Sequence, residues 1–258
     1  MFRRFRITIL LYILILVGGG AWLTRTDSTD WQEPLWVLVY PINADHSKAS
    51  DSYIRILEPD RFTAIERFFS QQGRAYGLEL EQPVTIRVAT PLFTLPPSPP
   101  LARDTLSVMW WSLKLRYWVW NVERQQSEPH ADIKVFVLYH DPKLVSSLPH
   151  SIGLQKGLIG VVNAFAASHM SESNNVVIAH EIMHTVGASD KYDSKSGLPI
   201  YPDGYAESTL KPRYPQSKAE IMGGRIPVSR KEASIPWSLE QVTVGPQTAI
   251  EIGWLSTQ

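Results

Sequence analysis

The stretch that most limits what this chain can become is His180 to Asp193, HEIMHTVGASDKYD, preceded by Val176, Val177, Ile178 and Ala179. On an α-helix each residue advances about 100°, so His180 and His184 fall about 40° apart on one face and one turn apart. Two imidazoles so placed reach one metal ion. Glu181 follows the first histidine and reaches the open side of that ion, where a water would bind, so one spacing supplies a ligand pair and a base. A helix continued from His184 to Asp190 would carry the aspartate about 9 Å along the axis, too far for a ligand bond near 2 Å. The helix must therefore stop and the chain must turn. Gly187 stands where it can, because helices commonly end on a glycine with left-handed backbone. Asp190 then swings back as the third ligand, with His169, Glu172 and Asp193 as nearby alternatives. Set against this is a plainer reading, a core helix with two buried, hydrogen-bonded histidines.

The string HExxHxxGxxD resembles the zinc-binding consensus of the metzincin metallopeptidases, in the variant with aspartate in place of the usual third histidine. Within that clan it is most similar to the snapalysin type. Tyr192 follows Asp190 by two positions as in that type, and AEIMGG at Ala219 to Gly224 resembles the Met-turn, with Met222 as its methionine. The resemblance covers Val176 to Arg225. It implies an α+β, metzincin-like zincin fold: a mixed twisted sheet, an active-site helix and a loop-rich C-terminal subdomain. It also implies a Zn2+ ion on His180, His184 and Asp190, with Glu181 as catalytic base and Tyr192 as candidate oxyanion donor. Met222 would support the site by packing, without ligating. In that clan a peptide substrate pairs with a strand at the sheet edge above the cleft. Leu158 to Phe165 is read as that strand, which makes Gly160, Val161 and Asn163 candidate substrate contacts. The implied activity is endopeptidase hydrolysis of peptide bonds. A noncatalytic metal-binding protein of the cell envelope on the same scaffold is the alternative, and Glu181 argues against it, since a structural metal site needs no base.

Partners are narrowed by composition. Formal net charge is zero over 258 residues, and with no run of like charge nucleic acid is not an expected partner. Cysteine is absent, which excludes disulfides, thiolate metal ligands and a thiol nucleophile. Arg3, Arg4 and Arg6 precede an uncharged apolar run from Ile7 to Leu23, which reads as a membrane anchor or a signal sequence. Either places the rest of the chain outside the cytoplasm, anchored in the cell envelope or, after cleavage, secreted. The expected division is 1–23 anchor or signal, 24–32 linker and 33–258 catalytic domain.

Further along, WVLVYPI at Trp36 to Ile42, VTIRVA at Val84 to Ala89 and IKVFVLY at Ile133 to Tyr139 read as strands. A helix opening near Pro59 carries Phe62, Ile65, Phe69 and Tyr76 toward the core. Between Arg103 and Arg124, the residues Leu106, Trp110, Leu113, Tyr117 and Trp120 share one helical face; core is the expectation for them, a membrane interface the alternative. Asn174 or Asn175 is the expected cap of the motif helix. Beyond Asp193 the prolines and glycines predict loops, with a short helix over Thr248 to Leu255 at the end.

Overall fold

The computed structural model describes residues 30–100 and 104–256. Five strands form one sheet: β1 (Leu35–Asn43), β2 (Val84–Val88), β3 (Ile133–His140), β4 (Ile152–Leu154) and β5 (Ile159–Phe165), in the order β2-β1-β3-β5-β4. The first four in that order run parallel, with Val39 beside Val135 and Val137 beside Val162. Only β4 is antiparallel, pairing Gly153 with Gly160 of β5. The protein is thus mixed α+β with a mostly parallel sheet. Side chains alternate between sheet faces, and both faces here are covered. Val37, Val39, Val135, Val137 and Val162 join one core with Phe62, Ile65, Phe69, Ile178, Ile182 and Met183. Leu38, Tyr40, Ile42 and Phe136 join another.

Before the motif come α1 (Lys48–Arg55), a single 3-10 turn at Pro59–Phe62, α2 (Thr63–Ala75) and α3 (Thr105–Gln125). The polar α1 carries no strong apolar signal and was not expected; Ser47 caps it by accepting the Ser50 N–H at 3.0 Å. The motif lies on α4 (Ser171–Thr185), and the lower part is built from loops, four two-residue strands and α5 (Pro246–Glu251). Trp31, within the stretch read as a linker, is buried; its indole donates to Ile252 O at 2.6 Å and its ring meets Trp254 edge-on.

Several expectations need correction. Leu106, Trp110, Leu113, Tyr117 and Trp120 of α3 are not core: they are 48% to 76% exposed. The buried arc is the opposite one, Trp111, Leu115, Val119 and Val122. Helix α3 is apolar on two sides, and the arc that packs is the one whose compact Leu115, Val119 and Val122 let it approach the sheet. Trp111, the bulky member, finds a partner for its indole N–H in Pro97 O at 2.8 Å. Nor is β5 the sheet edge, because β4 covers it. Asn174 and Asn175 do not cap α4, which starts three residues earlier. Asn174 instead ties the helix to β5 through Phe165 N and O, and Asn175 donates to Arg61 O. Finally, no helix among the described residues is long and apolar enough to cross a membrane. That overturns the single-pass membrane reading and the envelope localisation built on it; the run from Ile7 to Leu23 lies outside the described residues.

Candidate active site

Helix α4 runs beneath the sheet and presents His180 and His184 one turn apart, their rings 4.7 Å apart and nearly perpendicular. The helix then ends where the sequence required it to. Gly187 has φ +109°, a backbone that side-chain-bearing residues rarely adopt, and the chain doubles back. Asp190 returns with Oδ1 3.2 Å from His180 Nε2 and 3.1 Å from His184 Nε2. Among the described residues these three are the group whose ligand atoms converge closely enough to hold a metal ion. The other candidates are elsewhere: His169 and Glu172 are exposed, and Asp193 accepts the N–H groups of Lys195 and Ser196 in its own turn.

The hydrogen bonds decide which way each imidazole faces. His180 Nδ1 lies 2.8 Å from Ile221 O, and His184 Nδ1 lies 2.8 Å from Ala188 O. A carbonyl oxygen only accepts, so each Nδ1 carries the proton and each neutral ring turns a bare Nε2 lone pair toward Asp190. Three electron-rich atoms therefore meet, and something positive must lie among them. Protons can fill that role: burial lowers the pKa of His180, but the hydrogen bond to Asp190 and the charge of Glu181 outweigh it and raise it. Asp190 is held well below the ordinary carboxylate range, its burial overcome by the two histidine hydrogen bonds. A divalent cation meets the same need with both rings neutral, and two histidines with a carboxylate are a donor set zinc accepts.

Glu181 supplies a second, independent sign. It is 5% exposed, and its Oε2 is buried without a hydrogen-bond partner. Burial raises its pKa, against the pull of His180 and His184. A buried carboxylate oxygen left unpaired costs free energy, and a water held beside the three ligands would supply its missing donor. Close above lies β4. A Cβ built on Gly153 would fall 2.5 Å from His184 Cβ and 2.6 Å from Glu181 O, so only a glycine lets the strand cross the helix at this distance.

Tyr192 lines a cavity of about 250 Å³ beside the histidines, together with Leu148, Pro149, His150, Val177 and Ile221. Burial first, then the negative charge of Asp190, push its hydroxyl up to about 12, so it remains a proton donor across the neutral range. Met222 is fully buried; Lys191 N donates to its carbonyl at 2.9 Å, which joins the turn at Ala219 to Gly224 to the residue after Asp190. Of the expected substrate contacts, Gly160 and Val161 have neighbouring strands on both sides and offer no free backbone. Asn163 does reach the cavity, yet its amide is engaged by His140 Nε2 and by His150 O. It braces the cavity wall. The free backbone edge above the site belongs to Ile152–Leu154 instead.

The sequence reading also missed Glu251. Its carboxylate accepts the Ser189 N–H and hydroxyl and the Lys191 ammonium, at 2.8, 2.9 and 2.8 Å. Residues on both sides of Asp190 are thus tied to α5. Sixty residues separate the partners of this clamp, and no local spacing announces it.

With that geometry in hand, the chain can be set beside known proteins. No family model and no curated protein matches it. It is similar to the solved structure of catalytically inactive OgpA from Akkermansia muciniphila in complex with an O-glycopeptide, glycodrosocin. Identity is 10%, over 86% of this chain and 62% of that one, with a TM-score of 0.32. This chain spans less than two thirds of that protein. At such distance the likeness carries no argument about function, which must come from the site itself.

Proposed function

We propose that this chain is a metzincin-like, zinc-dependent endopeptidase that hydrolyses peptide bonds with a metal-activated water. The observation that carries the reading is the convergence of His180, His184 and Asp190 beside a buried Glu181 oxygen that has no partner. Those three residues would hold the ion. A zinc ion bound there supplies Lewis acidity and brings the pKa of its water to about 7.

The remaining steps belong to the protein. Glu181 Oε2 takes the proton released as water attacks the peptide carbonyl, then returns it to the leaving amine. Its buried position holds that oxygen within reach. Tyr192, kept protonated, donates its hydroxyl to the oxygen that gains negative charge. The unpaired edge of β4 aligns an extended peptide by adding it as a strand. One side chain of that peptide enters the cavity lined by Leu148, Pro149, His150, Val177, Tyr192 and Ile221, whose walls mix apolar and polar groups. Met222, fully buried, anchors the turn whose Ile221 carbonyl orients His180.

The test pairs bound-metal analysis with peptide hydrolysis, in the full chain and in Glu181→Gln. The expected result is about one zinc per chain in both, and cleavage of a mixed peptide library by the unsubstituted protein alone. If neither protein holds metal, or if Glu181→Gln cleaves as fast as its parent, the reading fails.

A further inference from the structure

Helix α3 has two apolar faces, and the described residues cover only one. On the outer face Leu106, Trp110, Leu113, Tyr117 and Trp120 succeed one another at intervals of four, three, four and three residues. At about 100° per residue these five lie within an arc of about 80°. That spacing is the seam one helix presents to another. The helix is already anchored on its far side by Trp111, Leu115, Val119 and Val122, so the seam is rigid and unneeded by the fold.

The charges beside the seam are cationic but for Glu123, on the Arg116 side. Lys114 flanks it on one side and Arg116 on the other. Lys114 Nζ lies 5.5 Å from the Trp110 ring and Arg124 lies 4.7 Å from the Trp120 ring, while Arg116 donates to Lys156 O. Glu123 is the only acidic residue of α3, and Lys134 occupies it at 3.1 Å. Next to Leu113, a groove of about 560 Å³ opens between Met109, Arg116 and Lys156. We infer that this face docks a helix of a partner protein, one with its own apolar stripe at four-and-three spacing flanked by carboxylates. A second copy of this chain fits poorly, since it would set Lys114 and Arg116 against cations. A lipid surface is the competing occupant, since with Met109 at 56% exposure the apolar arc reaches about 100°, and vesicle binding overturns the helix reading.

The test uses the full chain and defined probes: two synthetic helical peptides with the same leucine stripe, one flanked by glutamates and one by lysines, and vesicles containing phosphatidylserine. Fluorescence anisotropy of labelled peptide reads binding. The glutamate-flanked peptide is expected to bind saturably and at least about ten-fold more tightly than its lysine counterpart, the scale of close opposite-charge pairs across an interface. The double change Lys114→Glu and Arg116→Glu should reverse that preference, and Leu113→Glu should abolish binding of both peptides while circular dichroism stays unchanged. Absence of peptide binding overturns the inference. So do equal affinities for the two peptides, which would mean general apolar adhesion, and binding to vesicles in place of peptides. Self-association lost in Leu113→Glu would assign the face to a second copy and overturn it as well.

Discussion

Helices α3 and α4 look alike as strings, both rich in apolar residues with polar ones interspersed, and the fold treats them in opposite ways. Helix α4 has sheet on one side and the lower loops on the other, so Ile178, Ile182 and Met183 are fully buried and even Asn174, Asn175 and Glu181 lie inside. Helix α3 closes the outside of the sheet. One of its faces packs, and the described residues leave the other uncovered. The number of layers around a helix, more than its own periodicity, decides which apolar residues become core. The proposed chemistry lies on the helix with two covers, where the Glu181 carboxylate is buried.

Substituting Glu181 breaks the comparison most strongly. If α4 is buried for the sake of a base, Glu181→Gln should lower peptide hydrolysis by about 10²- to 10⁴-fold, with zinc retained and the fold intact. Steady-state rates on a cleaved library peptide, beside zinc content, measure this. Loss of zinc together with activity would instead make Glu181 a structural residue.

Next in size is Leu115→Ala, on the packed side of α3. Leu115 is fully buried against the sheet, and removing three carbons there should cost about 2–5 kcal/mol of unfolding free energy. Chemical denaturation gives the value. A cost below about 0.5 kcal/mol, the scale of ordinary surface changes, would mean that α3 is not held against the sheet.

Gly153→Ala tests the cover over α4. The added methyl would press on His184 Cβ and Glu181 O, so β4 must move away from the helix. About 1–3 kcal/mol of destabilisation is expected from overpacking, with a fall in peptide hydrolysis that exceeds any fall in zinc content, because the displaced edge is the one that would align the peptide.

Glu251→Gln probes the clamp on the loop of Asp190, and should weaken zinc binding by about 10- to 100-fold, the usual cost of losing a group that orients a ligand. Competition with a chelator of known affinity measures it. The charge also has a pH signature. Burial alone would raise the pKa of Glu251, but the Lys191 ammonium and the Ser189 donors outweigh it and hold it below 4.5. A carboxylate depressed on folding stabilises the folded state above its ordinary pKa, and that contribution is lost as pH falls below about 4.5. The gap in thermal stability between the two proteins should therefore be open at neutral pH and narrow as pH falls below about 4.5.

How far the sequence reached depends on whether an argument was local. The turn at Gly187 and the return of Asp190 followed from helix rise and bond length alone, and the strands at Trp36, Val84 and Ile133 from β-branched runs. Nothing local marks β5 as an interior strand, because β4 is three residues long, reads Ile-Gly-Leu, and declares itself only by pairing with β5. The carbonyls of Ile221 and Ala188 that orient the imidazoles, and the carboxylate of Glu251, are set by where the chain passes after folding. For α3 the periodicity specifies a helix without specifying which arc packs, since two apolar arcs on one helix satisfy the same spacing.

The smallest expected effect sharpens that last point. Leu113 lies two residues before Leu115 on the same helix, and is 54% exposed. Leu113→Ser should change unfolding free energy by no more than about 0.5 kcal/mol, against the several expected at Leu115. The two sites share a helix, a residue type and nearly a position, and the gap between their expected costs exceeds any helix-propensity difference between Ser and Ala, so it reports coverage. Equal costs would mean that something covers the outer face in solution, and denaturation repeated over a range of protein concentrations would show whether that cover is another copy of the chain: only an intermolecular cover makes the cost of Leu113→Ser grow with concentration.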